Sequence, residues 1–302
     1  MKILLQFPDG LKQKAMEYAK KYEKEGHEIY LSASSCYGAC DIAIDEARAL
    51  KVDKIVHFGH NKFGKLDMGV PVEYIEFRVD IKIKDLEKAL PALKEYKKIT
   101  IGMTVQQSHQ FKQIKEFFEK NGKEVVSNKG QLTQEEGQVL GCDAGAVLKN
   151  EDGVDAILFI GNGMFHPLAI DSKKPIFIFN PLSSSIKQIN SEIEILRKKR
   201  KGTIVKALNC TKFGILLSTK PGQFNLTNAK WAKKEMEKRK LEAEILVANE
   251  LEPLNVNNFM VFDCYINTAC PRMSDDVEEY GKPVLTIPML MELLKLMDQT
   301  KK

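Results

Sequence analysis

Val52-Asp-Lys-Ile-Val-His-Phe-Gly59 comes back further along the chain as Val154-Asp-Ala-Ile-Leu-Phe-Ile-Gly161. Each is a short, nearly continuous apolar run that ends at a glycine, the pattern of a strand buried on both faces in a parallel sheet. Gly59 and Gly161 lie 102 positions apart, as do Cys40 and Cys142 (161 − 59 = 142 − 40 = 102). Two landmarks sharing one offset argue for structural equivalence, and the period of about 100 residues is near the size of a small domain.

Outward from this pair, the rest of each unit falls into order. A lysine and a buried-strand run open it three times, as Lys2-Ile-Leu-Leu-Gln-Phe7, Lys98-Ile-Thr-Ile-Gly-Met103 and Lys212-Phe-Gly-Ile-Leu-Leu217. Helical patterns follow at about 11–24, 108–121 and 225–240, then second strands at His27–Leu31, Lys123–Val126 and Glu242–Ala248. The third unit's third strand is expected at Asn258-Phe-Met-Val-Phe-Asp263, and fourth strands near Val72–Phe77, Pro175–Asn180 and Pro283–Ile287. Strands alternating with amphipathic helices make an α/β fold. The expected architecture is three pseudo-threefold-related domains, 1–96, 97–208 and 209–302, each a four-stranded parallel sheet flanked by helices.

Composition bounds the function. The 302 residues, 43% hydrophobic, can bury large cores, and the net charge of +5 is spread over 46 basic and 41 acidic side chains. The densest basic runs are Arg197-Lys-Lys-Arg-Lys201 and 230–240, the second interspersed with Glu235 and Glu237 at helical spacing, so they read as solvated helix faces and no direct nucleic-acid binding is expected. The first residues contain too short an apolar run for a signal peptide, and no stretch approaches the ~18 apolar residues of a membrane span. A cytoplasmic protein is expected. No Walker lysine motif, nucleophile elbow or HExxH is present, so no catalytic side chain is assigned.

Six cysteines, at 36, 40, 142, 210, 264 and 270, are too few for a stapled secreted scaffold of this length. Three of them sit in polar or small-residue loops at the expected carboxyl ends of strands, where open parallel sheets bind ligands: Cys40, Cys142 and Cys270. Three thiolates suit an iron–sulfur cluster with one iron left open. They also suit zinc completed by a histidine such as His60 or His166, and scattered thiols are often plain packing residues. Cys210 and Cys264 read as structural, Cys36 as a possible substitute ligand, and His57 as a packed or capping residue. Gly59, His60, Gln106, Asn162, Gly163 and Gln223 follow strand ends and are the candidates for binding a substrate.

Tyr37-Gly-Ala-Cys-Asp41, Gly137-Gln-Val-Leu-Gly-Cys142 and Asn267-Thr-Ala-Cys-Pro-Arg272 resemble the three cluster motifs of the archaeal diphthamide synthases of the first step, the 2-(3-amino-3-carboxypropyl)histidine synthases. Phe7-Pro-Asp-Gly-Leu11, His57-Phe-Gly-His60, Gly161-Asn-Gly-Met-Phe-His-Pro167 and Lys220-Pro-Gly-Gln223 resemble that family in the same order. Val284-Leu-Thr-Ile-Pro-Met-Leu290 departs from its usual Leu-Thr-Pro run by Ile287. The resemblance implies that Cys40, Cys142 and Cys270 ligate a 4Fe–4S cluster and that S-adenosylmethionine is the co-substrate. Its 3-amino-3-carboxypropyl group would pass, by a radical route outside the usual CxxxCxxC enzymes, to C2 of a histidine in translation elongation factor 2. The resemblance further implies a homodimer and a reductant or electron-donor protein. Two other readings use the same thiols: a quinolinate-synthase-like condensing and dehydrating enzyme, and a non-catalytic electron-relay or zinc-binding subunit.

Overall fold

The computed structural model describes residues 1–275 and 277–300. Strands β1 (Lys2–Gln6), β2 (Glu28–Leu31), β3 (Lys54–Phe58) and β4 (Val72–Ile75) form a first, wholly parallel sheet in the order β2-β1-β3-β4. A second contains β5 (Lys98–Met103), β6 (Glu124–Val126), β7 (Ala156–Ile160), β8 (Ile176–Asn180) and β9 (Ser185–Gln188), in the order β6-β5-β7-β8-β9. The third, β11-β10-β12-β13, is built from β10 (Lys212–Ser218), β11 (Glu242–Ala248), β12 (Cys264–Asn267) and β13 (Val284–Thr286). Contacts divide the chain into two compact units, Met1–Ser191 holding the first two sheets and a second from Glu192 onward holding the third. No helix among the described residues is long and apolar enough to cross a membrane.

The three sheets repeat one device at the entry to the strand that follows the second helix. Asp53 accepts the Lys2 amide at 2.7 Å, Asp155 those of Lys97 and Lys98 at 3.0 and 2.8 Å, and Asp263 those of Thr211 and Lys212, each at 3.1 Å. In return the Asp53, Asp155 and Asp263 amides donate to the carbonyls of Lys2, Lys98 and Lys212. A carboxylate that accepts backbone N–H groups is a charge-assisted partner, and Asp263 is held below the usual carboxylate range by them.

Two sequence expectations change. The middle sheet has a fifth strand, because β8 turns back through Ser184, at φ 48°, into antiparallel β9. The third strand of the last unit is Cys264–Asn267; the apolar run before it, Phe259-Met-Val-Phe262, lies in turns with Met260 85% exposed. Local hydrophobicity marked the run, but the Asp263 clamp sets the strand's start one residue after it.

The cores are conventional. Apolar faces of the middle sheet pack Ile99, Ile101, Leu158 and Ile160 against Phe111, Ile114 and Phe118, on the helix Phe111–Lys120. In the last sheet Phe213, Ile215 and Ile266 pack against Ala229, Ala232 and Met236 of the helix Leu226–Glu237 and against Leu290 and Leu293. That helix is capped at its start by Asn225, whose Oδ1 accepts the Asn228 amide.

Candidate functional site

In an open sheet of order 2-1-3-4 the chain leaves β1 and β3 in opposite directions, and the crevice at their carboxyl ends is the usual ligand site. The first sheet gathers its polar side chains there. Gln6, the last residue of β1 and 1% exposed, donates from Nε2 to the Asp41 carbonyl at 2.7 Å and accepts the Ala43 amide at Oε1, 3.1 Å away. It thereby holds the segment after Cys40 at the end of β1. Cys40 is half-buried in a turn closed by the Asp41 amide on the Gly38 carbonyl.

The second sheet does the same with backbone. Met103 donates to the Gly137 carbonyl and accepts from the Val139 amide, each at 2.8 Å, so 137–139 extend beside the end of β5. Three residues further, Cys142 stands exposed at the tip of a turn closed by Leu140 and Asp143. Asp143 accepts the amides of Leu132 and Gly145 at 2.7 and 2.8 Å. The ring of Phe165, from the loop after β7, lies where a Cβ at Gly141 would be.

In the third sheet Thr268 donates from both its amide and its hydroxyl to the Leu216 carbonyl, at 3.1 and 2.8 Å, fixing the loop of Cys270 against β10. Asn267 holds the Cys270 carbonyl at 2.7 Å. Burial pushes the half-buried Cys270 thiol up, opposed by the backbone amides of Arg272 and Met273 and by the charges of Arg272 and Lys220. Lys220 is 3% exposed and paired with Glu250 at 2.6 Å.

None of the six cysteines is paired in a disulfide with another. Cys40, Cys142 and Cys270 each lie at the carboxyl end of an inner strand, half-buried or exposed, whereas Cys210 and Cys264 are buried in the core of the third sheet. Thiols on glycine- and amide-rich loops are the type of donor that an iron–sulfur cluster takes.

The predicted substrate residues differ in setting. Gly59, at φ 88°, turns the chain after β3 and brings half-buried His60 back over buried His57. Asn162 and Gly163 are exposed, the latter at φ 78°; Gln106 and Gln223 are half-buried. Sequence reading passed over the residues that lock these loops. Asn61 and Gln138 exchange side-chain hydrogen bonds of 3.0 and 2.8 Å, joining the loop after β3 to the one that carries Cys142. It also passed over a second ligand set: one nitrogen each of His57 and His60 and the sulfur of Cys36 lie within 4.8 Å of one another.

The family model of diphthamide synthesis proteins matches residues 7–302. The 2-(3-amino-3-carboxypropyl)histidine synthase of Pyrococcus horikoshii is 35% identical, over 97% of this chain and 85% of its own length. That of Methanocaldococcus jannaschii is 33% identical over 94% and 82%. Crystal structures of Dph2 from Pyrococcus horikoshii, one with a 4Fe–4S cluster, superpose with a TM-score of 0.90 at 34% and 35% identity, covering 98% of this chain and 86% of theirs. Sequence and fold therefore agree across nearly the whole length, and the chain belongs to the diphthamide synthesis protein family.

Proposed function

We propose that this protein transfers the 3-amino-3-carboxypropyl group of S-adenosylmethionine to C2 of a histidine in translation elongation factor 2, the first step of diphthamide formation. Cys40, Cys142 and Cys270 would hold a 4Fe–4S cluster, one thiolate from each of the domains 1–96, 97–208 and 209–302. When bound, such a cluster supplies the electron that cleaves the sulfonium bond to the methionine γ-carbon, leaving 5′-methylthioadenosine. The observation that carries the reading is the placement of these three cysteines on loops held at the carboxyl ends of β1, β5 and β10. It is supported by the names of the relatives and by the cluster in the matched Dph2 structure.

The chain's own residues supply binding and positioning. Gly59 and Gly163 turn the chain with left-handed φ at strand ends, the Gly59 amide itself being taken by the Ile75 carbonyl. His60, Gln106, Asn162 and Gln223 offer polar groups on loops that follow strand ends, so these six residues are the proposed contacts to S-adenosylmethionine. Orientation of the sulfonium selects which of its bonds breaks, a positioning effect. Lys220 and Arg272 place positive charge by Cys270, favouring its thiolate. The protein would act in the cytoplasm as a homodimer, with a separate reductant.

Anaerobic reconstitution with iron and sulfide tests the ligand set. A brown protein with about four irons per chain, lost in Cys142→Ala, is expected. Incubation with dithionite, S-adenosylmethionine and the factor should then yield 5′-methylthioadenosine and a mass shift on one histidine. A colourless protein, or a cluster that leaves S-adenosylmethionine intact, would overturn the proposal.

A further inference from the structure

Cys36, His57 and His60 are brought together by three separate elements of the first sheet. Cys36 lies in the loop after β2, His57 is the fourth residue of β3, and the Gly59 turn folds His60 back. Their ligand atoms lie within 4.8 Å of one another, with Cys36 and His57 buried and His60 half-buried. No step of the proposed transfer uses Cys36 or His57.

The hydrogen-bond network assigns the ring nitrogens. Gln6 is oriented by the Asp41 carbonyl on its Nε2 and the Ala43 amide on its Oε1. The same Oε1 lies 2.9 Å from His57 Nδ1, so that nitrogen must carry the proton. His57 Nε2 therefore presents a lone pair, and His60 Nδ1 stands 3.0 Å from it. Without a metal, His60 Nδ1 donates to it.

The geometry points to a mononuclear zinc site formed by Cys36 Sγ, His57 Nε2 and His60 Nδ1, distinct from the three thiols of the cluster. Two nitrogens bound to a tetrahedral zinc stand about 3.3 Å apart, given bonds of ~2.0–2.1 Å. The observed 3.0 Å needs only a slight opening, and the sulfur can move in to meet the metal. The surroundings are those of a ligand set. His57 gives its second ring N–H to the Gln6 side chain, as metal-bound histidines give theirs to an oxygen acceptor. The Gly38 amide donates to the Cys36 sulfur, and the Asp41 carboxylate nearby adds negative charge that a dication would offset. Two nitrogens and one sulfur are donors that zinc accepts, and the fourth position would take water through the half-buried side at His60.

Protons balance simply. On binding, Cys36 loses its thiol proton to solvent, while the His60 proton moves from Nδ1 to Nε2 and that ring stays neutral. One proton is released per metal. His60 Nε2 then becomes a donor towards the crevice. The site would clamp the loop of Cys36 and Cys40 to the loop after β3.

Cobalt(II) added to the metal-stripped full-length chain tests this, because tetrahedral cobalt absorbs in the visible and a thiolate ligand adds a near-ultraviolet charge-transfer band. The triple variant Cys40→Ala/Cys142→Ala/Cys270→Ala, which removes the other loop thiols, should bind one equivalent with that band. In that background Cys36→Ser should lose the band, and His60→Ala should weaken binding sharply. Gln6→Leu should weaken it by about 10–100-fold, the usual effect of losing the partner of a ligating histidine. Failure of cobalt to bind, a band that survives Cys36→Ser, or binding lost in the triple variant would overturn the site. Iron content is read separately in Cys36→Ser. Retention of about four irons there leaves the cluster reading standing whatever the cobalt result.

Discussion

Replacing Gln138 by alanine removes the lock between two loops of the first unit. Its Oε1 accepts from Asn61 at 3.0 Å and from the amides of Gln134 and Glu135 at 3.1 and 3.2 Å, and its Nε2 donates to Asn61 at 2.8 Å. The amides belong to an exposed and a half-buried residue that water can reach, so they contribute little. Asn61 is different: at 8% exposure it would be left with two unmet polar groups, at about 1–3 kcal/mol each. Losing a buried methylene adds about 0.8 kcal/mol. Together the variant should be destabilised by about 3–7 kcal/mol, a large part of the ~5–15 kcal/mol that holds a domain folded. Urea unfolding followed by far-ultraviolet circular dichroism measures it as a lower midpoint. Because Asn61→Ala breaks the same pair, the double variant should cost about 1–3 kcal/mol less than the sum of the singles. A loss under about 1 kcal/mol, or simple additivity, would refute the claim that this amide pair joins the loops.

Gly59→Ala must adopt a left-handed φ of 88° and would set a Cβ 2.8 Å from Pro8 Cγ. A loss of about 2–4 kcal/mol, seen as a lower Tm, is expected from the backbone term and the clash. In the chelator-treated protein, burial lowers His57 to about 3, helped by His60, and lowers His60 to about 4 against the pull of the Phe58 carbonyl. Their unfolded value is about 6.5, so the unfolded chain binds more protons below it. This contribution is fully present above pH 6.5 and is lost as pH falls towards 4. Between pH 7 and 4.5 stability should drop by about 3–5 kcal/mol, and His60→Gln should flatten the slope; a flat profile in the wild type would contradict it. Lys220→Met removes a cation that favours the Cys270 thiolate, so alkylation of Cys270 at pH 8 should slow relative to wild type, and an unchanged rate would show that the charge does not reach the sulfur.

Much of the fold is legible because buried parallel strands are marked locally. Runs such as Ile3–Leu5 and Ala156–Ile160 are at most 1% exposed, and their uninterrupted apolarity is the imprint of burial on both faces. The strand β9 left no such imprint, since Ser185-Ile-Lys-Gln188 is short and polar and pairs only because β8 supplies an edge. The misplaced strand in the last unit has a different cause. Phe259-Met-Val-Phe262 is as apolar as a strand, and only the aspartate common to Asp53, Asp155 and Asp263 would have aligned it correctly.

The site divides in the same way. By itself the sequence determined that Cys40 and Cys142 hold equivalent places, because an internal repeat preserves order and spacing along the chain, and it separated loop thiols from those in apolar runs. It could not join Cys36 to His57 and His60, which are 21 and 24 positions away (57 − 36 and 60 − 36). Their approach needs β2 and β3 on either side of β1, a left-handed glycine after β3, and Gln6 holding both the His57 ring and the segment after Cys40. Each of those is a pairing between distant segments, decided by tertiary packing and invisible to any local pattern of residues.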